Sequence, residues 1–421
     1  QLISVLKTLK QQGNTIIVVE HDEEIMQAAD EILDIGPLAG SQGGQLVFQG
    51  DFLALQKSDA LTAQYLTGRK KIELPKRSRT SIGALQIHHA SQNNLKNLDL
   101  AIPLGQLVCV SGVSGSGKST LIKRILYPLV RKELGLSSEL IGKCNGISGD
   151  LQKIKSVEFI DQNPIGKSSR SNPITYVKAF DDIREIYARQ PLAKLRGYKP
   201  GFFSFNVAGG RCEVCEGEGT ISVSMQFMAD VQLPCKHCHA RRYKPETLEI
   251  LYRDLSIADL LELNLQEALD FFKADRDKLA QRVVEKIQPL IDVGLGYLTV
   301  GQSSSTMSGG EAQRIKLASF LSKGYQNTPT LFIFDEPTTG LHFHDIAKLL
   351  IAFNALLDMG HSLVVIEHNM EVIKCADHLI DLGPTGGDEG GYILFCGHPK
   401  EILQLESNAT AAALISKLVE N

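Results

Sequence analysis

Two periodicities alternate along this chain. Continuous apolar runs bounded by turn formers, Leu107-Val108-Cys109-Val110, Leu331-Phe332-Ile333-Phe334 and Leu363–Ile366, predict buried strands. Helical spacing predicts amphipathic helices through Leu279, Val283, Val284, Ile287, Leu290 and Ile291, and through Ile315, Leu317, Ala318 and Leu321. A third, through Ile346, Leu349, Leu350, Phe353, Leu356 and Leu357, is expected to stop near Gly360, a plausible C-cap. Strands alternating with helices predict an α/β fold, a mainly parallel sheet with helices on its faces. At Ile221, Val223, Met225 and Phe227 apolar residues alternate with polar or small ones, which predicts a further strand.

Candidate chemistry sits at the ends of these elements. Gly112-Val113-Ser114-Gly115-Ser116-Gly117-Lys118-Ser119-Thr120 follows the first apolar run and precedes Leu121-Ile122-Lys123-Arg124-Ile125-Leu126, the start of a helix. Strand, glycine-rich loop and helix in that order make a phosphate cradle. Gly112, Ser114, Gly115, Ser116, Gly117 and Thr120 are expected to line it, with N–H groups converging on the phosphates of ATP. Lys118 would neutralise the β/γ oxygens, and the Ser119 hydroxyl would reach Mg²⁺. The second apolar run delivers Asp335 and Glu336 at its C-terminal end, where ligands of open α/β sheets bind. Alone, two such acids read as surface charge. Paired with the loop, Asp335 is expected to hold Mg²⁺ and Glu336 to polarise the attacking water. Met307-Ser308-Gly309-Gly310-Glu311-Ala312-Gln313-Arg314 opens a helix whose N-terminal donors form an anion site.

Together with a strand ending in Glu367-His368, these motifs resemble the signature of ABC ATPases. The resemblance places Gln162 at the Q-loop, makes His368 the switch histidine that touches the γ-phosphate, and implies a composite site. Ser308, Gly309, Gly310 and Glu311 would then face a nucleotide held by a different domain.

The chain also repeats itself. Residues 1–50 align without a gap onto 348–397, and seventeen of the fifty positions are identical. Glu20-His21 matches Glu367-His368, Asp34 matches Asp381, and Gly36-Pro37 matches Gly383-Pro384. The expected organisation is a C-terminal segment of a first ABC domain at 1–74, carrying its own switch residue His21, and a basic linker at 75–84. A second ABC domain follows at 85–421. Residues 165–300 would form an inserted signature subdomain, with a zinc module at 205–245. The chain reads as a fragment of a tandem protein, in which neither composite site closes within one copy.

A net charge of −4 argues against a globally basic nucleic-acid binder, but positive charge clusters locally. Arg69, Lys70, Lys71, Lys76, Arg77 and Arg79 surround Pro75; Arg189, Lys194, Arg196 and Lys199 form a second group, and Lys236, Arg241, Arg242 and Lys244 a third. Each reads first as a solvated face. No apolar run reaches membrane-spanning length and no secretory signal is visible, so an ATPase subunit of a transporter is a poor reading. Four of the eight cysteines follow Cys212-x₂-Cys215-x₁₉-Cys235-x₂-Cys238, a zinc spacing that closes a tetrahedral, structural shell. A redox pair of C-x-x-C thiols is the alternative, and His237 and His239 could substitute as ligands.

Longer stretches resemble the UvrA family, damage-recognising ATPases of bacterial nucleotide excision repair. They include Asn93-Asn94-Leu95-Lys96-Asn97-Leu98, Ile160-Asp161-Gln162-Asn163-Pro164-Ile165-Gly166, Phe203-Ser204-Phe205-Asn206 and Asp335-Glu336-Pro337-Thr338-Thr339-Gly340-Leu341-His342. The resemblance covers essentially the whole chain. It implies a cytoplasmic, homodimeric, zinc-containing ATPase that binds damaged double-stranded DNA and hands it to UvrB, with ATP, Mg²⁺ and Zn²⁺ as cofactors. It also points to the zinc region as DNA-facing, with Lys194, Arg196, Lys199, Arg241 and Arg242 as candidate phosphate contacts. A UvrA-like paralogue, or a nucleotide-switched scaffold whose zinc module docks protein, is the alternative. The first domain's phosphate loop and the UvrB-docking region are expected to be absent.

Overall fold

The structure is a computed structural model that describes residues 2–37, 39–40, 43–75, 78–166, 170–225, 231–322, 328–405 and 407–419. Its contacts divide it into two units, residues 1–160 with 326–421, and residues 161–325.

The first unit is built on a six-stranded sheet. Strands β5 (Leu107–Gly112), β7 (Ser156–Ile160), β12 (Thr330–Asp335), β13 (Ser362–Ile366) and β14 (His378–Gly383) run parallel in the order β14-β5-β13-β12-β7. An antiparallel strand, β15 (Tyr392–Gly397), closes the edge beside β14. Every residue of β5 and β13 is buried, as continuous apolar runs covered on both faces require. A smaller antiparallel sheet of β3 (Gly83–Ala90), β4 (Leu98–Leu104) and β6 (Gly146–Gly149) buries Leu85, Ile87, Leu100 and Ile102 in the same core as Val108, Val110, Ile333 and Val364. The helix after the glycine loop opens with a wide turn over Thr120–Leu126, whose hydrogen bonds span five residues, before turning α-helical at Tyr127–Glu133.

The repeat is real at the level of the backbone. The hairpin β1 (Ile32–Gly36) with β2 (Gln45–Gly50) pairs Ile32 with Gly50, Asp34 with Phe48 and Gly36 with Gln45, and its register shifts at Asp34/Ile35. The β14–β15 pair has the corresponding partners and the corresponding shift at Asp381/Leu382. The correspondence runs past residue 50, because helices Phe52–Lys57 and Leu61–Leu66 match Pro399–Gln404 and the start of Ala409–Val419. Burial separates the copies. Ile380 and Leu382 are sealed beside β5, whereas Leu33 and Ile35 are 60% and 67% exposed.

The second unit is mainly helical. Helices Lys278–Asp292 and Gly309–Ser322 match two of the predicted helical runs, and Ala179–Ala188, which no predicted run covered, carries buried Asp182, paired by Arg282 and Lys286. The predicted alternating strand is β8 (Thr220–Val223), antiparallel to β9 (Val231–Pro234); Met225 lies beyond its end and Phe227 outside the described residues. A two-residue pair, β10 (Leu251–Tyr252) and β11 (Leu255–Ser256), turns through Arg253 and Asp254, both at positive φ. Among the described residues no helix is long and apolar enough to cross a membrane.

Candidate functional site

Three neighbouring strands, β5, β13 and β12, end at one edge of the first unit and deliver its chemistry there. Gly112 leaves β5 at φ 129°, and a Cβ on it would lie 1.9 Å from the carbonyl oxygen of Leu382. Only glycine fits that exit. Lys118 is 5% exposed, and its ammonium donates to the carbonyls of Gly112 (2.8 Å) and Val113 (2.9 Å). Burial lowers its pKa, opposed by the nearby charges of Glu336, Asp381 and Asp335. The buried Ser116 hydroxyl has no hydrogen-bond partner among the described residues, leaving a polar atom for a bound phosphate oxygen. The loop therefore fits a nucleotide.

The acidic end of β12 is held as tightly. Glu336 sits at φ 47°, a left-handed conformation rare outside glycine, and donates its N–H to the Ile366 carbonyl (3.0 Å). Its carboxylate lies 3.5 Å from Nε2 of His368 at the end of β13. Burial lowers the His368 pKa, as does Lys118, while Glu336 opposes both, so a neutral ring is favoured. Glu367, 2% exposed, takes another part: it accepts N–H bonds from Thr338 (2.9 Å), His368 (2.9 Å) and Asn369 (3.1 Å), tying the turn after β12 to the turn after β13.

Asn94 has a place that its sequence context left without a role. Its side-chain amide donates to the carbonyls of Gly115 (2.9 Å) and Gly387 (3.0 Å), pinning the loop from outside. In the sequence Asn94 stands within the family-resembling stretch Asn93–Leu98, which attached no role to it.

In the second unit the predicted signature residues form a capped helix start. Ser308 donates its N–H to Glu311 Oε2 (2.8 Å), its Oγ accepts the Glu311 N–H (3.3 Å), and Tyr297 donates to Glu311 Oε1 (2.6 Å). Gln162 lies directly against this start, because a Cβ on Gly309 would come within 2.8 Å of its Cβ. Lys316, on the same helix, pairs with Asp161 (2.8 Å) and fixes the segment leading to Gln162.

The four cysteines come together. Cys212, Cys215, Cys235 and Cys238 are buried, and their sulfurs lie within 4.8 Å of one another. The two knuckles are cross-tied, with Cys235 N–H donating to Gly219 (2.9 Å) and Cys212 N–H to Arg242 (2.8 Å). Burial raises the Cys235 thiol, but N–H bonds from Cys238 and His237 bring it down to about 7. This all-sulfur set fits a structural zinc ion. His237 Nδ1 stands 3.6 Å from Cys212 Sγ, outside the sulfur cluster.

The five candidate DNA contacts separate. Arg196 is paired with Glu249, Arg241 with Asp259, and Arg242 donates to the Gly301 carbonyl (2.8 Å). Lys194 and Lys199 are exposed and have no side-chain partner among the described residues. Of the basic residues around Pro75, Lys76 and Arg77 lie outside the described residues. Arg79 is not solvated as expected: its guanidinium bonds to Asn354 (3.0 Å) and Asp358 (2.9 Å).

No family model matches the chain. UvrABC system protein A of Clostridium acetobutylicum is 50% identical over 416 residues, which are 98% of this chain and 44% of that protein. Its counterpart in Methanothermobacter thermautotrophicus is 52% identical over 404 residues, 96% of this chain and 41% of that one. The crystal structure of UvrA2 from Deinococcus radiodurans superposes with a TM-score of 0.91 at 42% identity, covering 99% of this chain and 49% of the other. The chain spans less than half the length of the curated relatives it matches. Sequence identity near one half along almost the entire chain, on a shared ABC-type nucleotide-binding fold, makes it a member of the UvrA family.

Proposed function

We propose that the chain supplies one nucleotide half-site and one signature half-site of an ATPase that recognises damaged duplex DNA in nucleotide excision repair. The observation that carries this reading is the meeting of Lys118, Glu336 and His368 at the ends of three adjacent strands, with His368 Nε2 3.5 Å from the Glu336 carboxylate. The loop N–H groups and Lys118 would hold the β- and γ-phosphates. Ser119 and Asp335 would hold Mg²⁺, which when bound neutralises charge on those phosphates. Glu336 accepts a proton from the attacking water, and its tethered backbone keeps the carboxylate aimed. His368, neutral and within reach of Glu336, orients that carboxylate and the γ-phosphate. The helix start at Ser308-Gly309-Gly310, with Glu311, serves the facing nucleotide of a partner domain, and Gln162 keeps the catalytic part expected of a Q-loop glutamine.

The second unit engages DNA, with Lys194 and Lys199 as phosphate contacts and zinc holding the module between them and the signature helix in shape. As in a whole UvrA-type protein, homodimerisation, transfer of the lesion to UvrB and a cytoplasmic setting belong to this reading. The protein-docking alternative gains no support from the relatives.

Duplex binding as a function of salt, with and without ATP, tests the reading. Phosphate contacts require log affinity to fall linearly with log salt, by about 0.9 per contact. Lesion-bearing duplex is expected to bind more tightly than intact duplex. Affinity independent of salt, or no nucleotide binding by the loop, would sink it.

A further inference from the structure

A cleft of about 660 Å³ is lined both by the zinc module, through Glu218 and Thr220, and by the loop that enters the signature helix, through Ser303 and Thr306. Two arginines span it. Arg242, at φ 69°, holds the Cys212 N–H through its own carbonyl (2.8 Å), so its backbone is fixed by the cysteine shell. Its guanidinium lies over the Phe205 ring (5.4 Å to the centroid) and donates to the Gly301 carbonyl (2.8 Å). Arg170 pairs with Glu216 (3.0 Å) and Glu218 (3.5 Å), which follow Cys215, while the next carbonyl, Ser171, accepts the Ser304 N–H (2.8 Å). Both tethers land between residues 301 and 304, a few positions before the Ser308 cap.

We propose that Arg242, seconded by Arg170, is a positioning residue that couples metal occupancy of the cysteine shell to the placement of Ser308-Gly309. Metal fixes Cys212, Cys212 fixes the Arg242 backbone, and the guanidinium sets where the entry loop can lie. A charged donor is suited to this, because hydrogen bonds from ionised groups are the stronger kind and Gly301 offers only a backbone acceptor. Loss of the metal frees Cys212, and the arginine can no longer hold the loop in register with the helix start. The coupling concerns only this unit; its consequence for ATP turnover rests on the signature role proposed above.

Hydrogen exchange at residues 301–308, read in zinc-loaded and chelated protein, tests it. Chelation is expected to speed exchange in that segment by roughly tenfold, from the loss of one charge-assisted bond. Arg242→Met is expected to retain one zinc per chain, to show that faster exchange already when loaded, and to gain little more on chelation. Arg242→Lys is expected to restore part of the protection. Should Arg242→Met lose its zinc, Arg170→Met, outside the module, is read instead for faster exchange at 303–306 with zinc retained. Unchanged exchange at 301–308 on chelation of the parent, while 212–242 opens, would overturn the proposal. So would full protection of the segment in zinc-loaded Arg242→Met, or in zinc-loaded Arg170→Met where that variant is read. Ser308→Ala separates the two layers: if it leaves ATP turnover unchanged while the exchange coupling persists, the signature reading fails and the coupling stands.

Discussion

The ring of His21 stands edge-on to the ring of His342, centroids 6.2 Å apart and planes at 82°. His21 is the repeat counterpart of His368, and His342 closes the turn that begins at Glu336. The histidine of the first repeat therefore touches the loop that follows the acidic pair of the second. His342 is held on both nitrogens: Nδ1 accepts the His344 N–H (3.2 Å) as a helix cap, and Nε2 meets Thr62 Oγ1 (3.2 Å). Tyr65 packs edge-on to the same ring.

This arrangement makes a pH prediction. Burial lowers the His342 pKa from its usual 6.5, and His21 and His344 add to that, while Asp345 and Asp34 oppose it. A depressed pKa means the unfolded chain takes up the proton first. The stability from this site is therefore full above pH 6.5 and is lost as pH falls from there through the lowered value. Protonating Nδ1 also removes the acceptor for His344. Thermal midpoints of the parent are expected to drop more between pH 7.5 and 5.5 than those of His342→Gln, by about 2 °C. Parallel curves for the two proteins would refute the assignment.

Glu336→Gln keeps shape and removes the base. Hydrolysis is expected to slow by about 100-fold or more, while nucleotide affinity changes by less than about threefold. Phosphate release under single turnover, beside an equilibrium binding titration, separates the two. A Gln variant that turns over like its parent would take the role away from Glu336.

Asn94→Ala removes two donors that pin the loop from outside the motif. Nucleotide binding is expected to weaken roughly tenfold, about 1.4 kcal/mol, without loss of fold. Lys118→Ala, which deletes the point charge itself, is expected to weaken it further. If titration finds Asn94→Ala as tight as the parent, other contacts hold the loop.

Cys238→Ser opens the cysteine shell. Bound zinc is expected to fall from one per chain to well below that, with proteolytic sensitivity confined to the region around 205–245 and nucleotide binding at Lys118 preserved. Metal analysis of protein purified without chelator, with limited proteolysis, checks both. A parent without stoichiometric zinc would revive the redox reading of these thiols.

The sequence by itself determined the chemistry that is written in short spacings. The glycine loop, Asp335-Glu336, Ser308-Gly309-Gly310 and the two C-x-x-C knuckles each lie within a few residues, so their local backbone follows from the residues present. The repeat was legible for the same reason, since the β1–β2 and β14–β15 hairpins carry their register and bulge in local pairing. Tertiary structure decided what long side chains reach. Arg242 reads as a cation for DNA until the fold sets it against Gly301, fifty-nine positions away, and Thr62 finds His342 across 280 positions. Asn94 gained its role only when β3 and β4 brought it beneath Gly115 and Gly387. No local spacing encodes such partners, because a flexible polar side chain bonds to whichever group the packing of the core brings within about 3 Å.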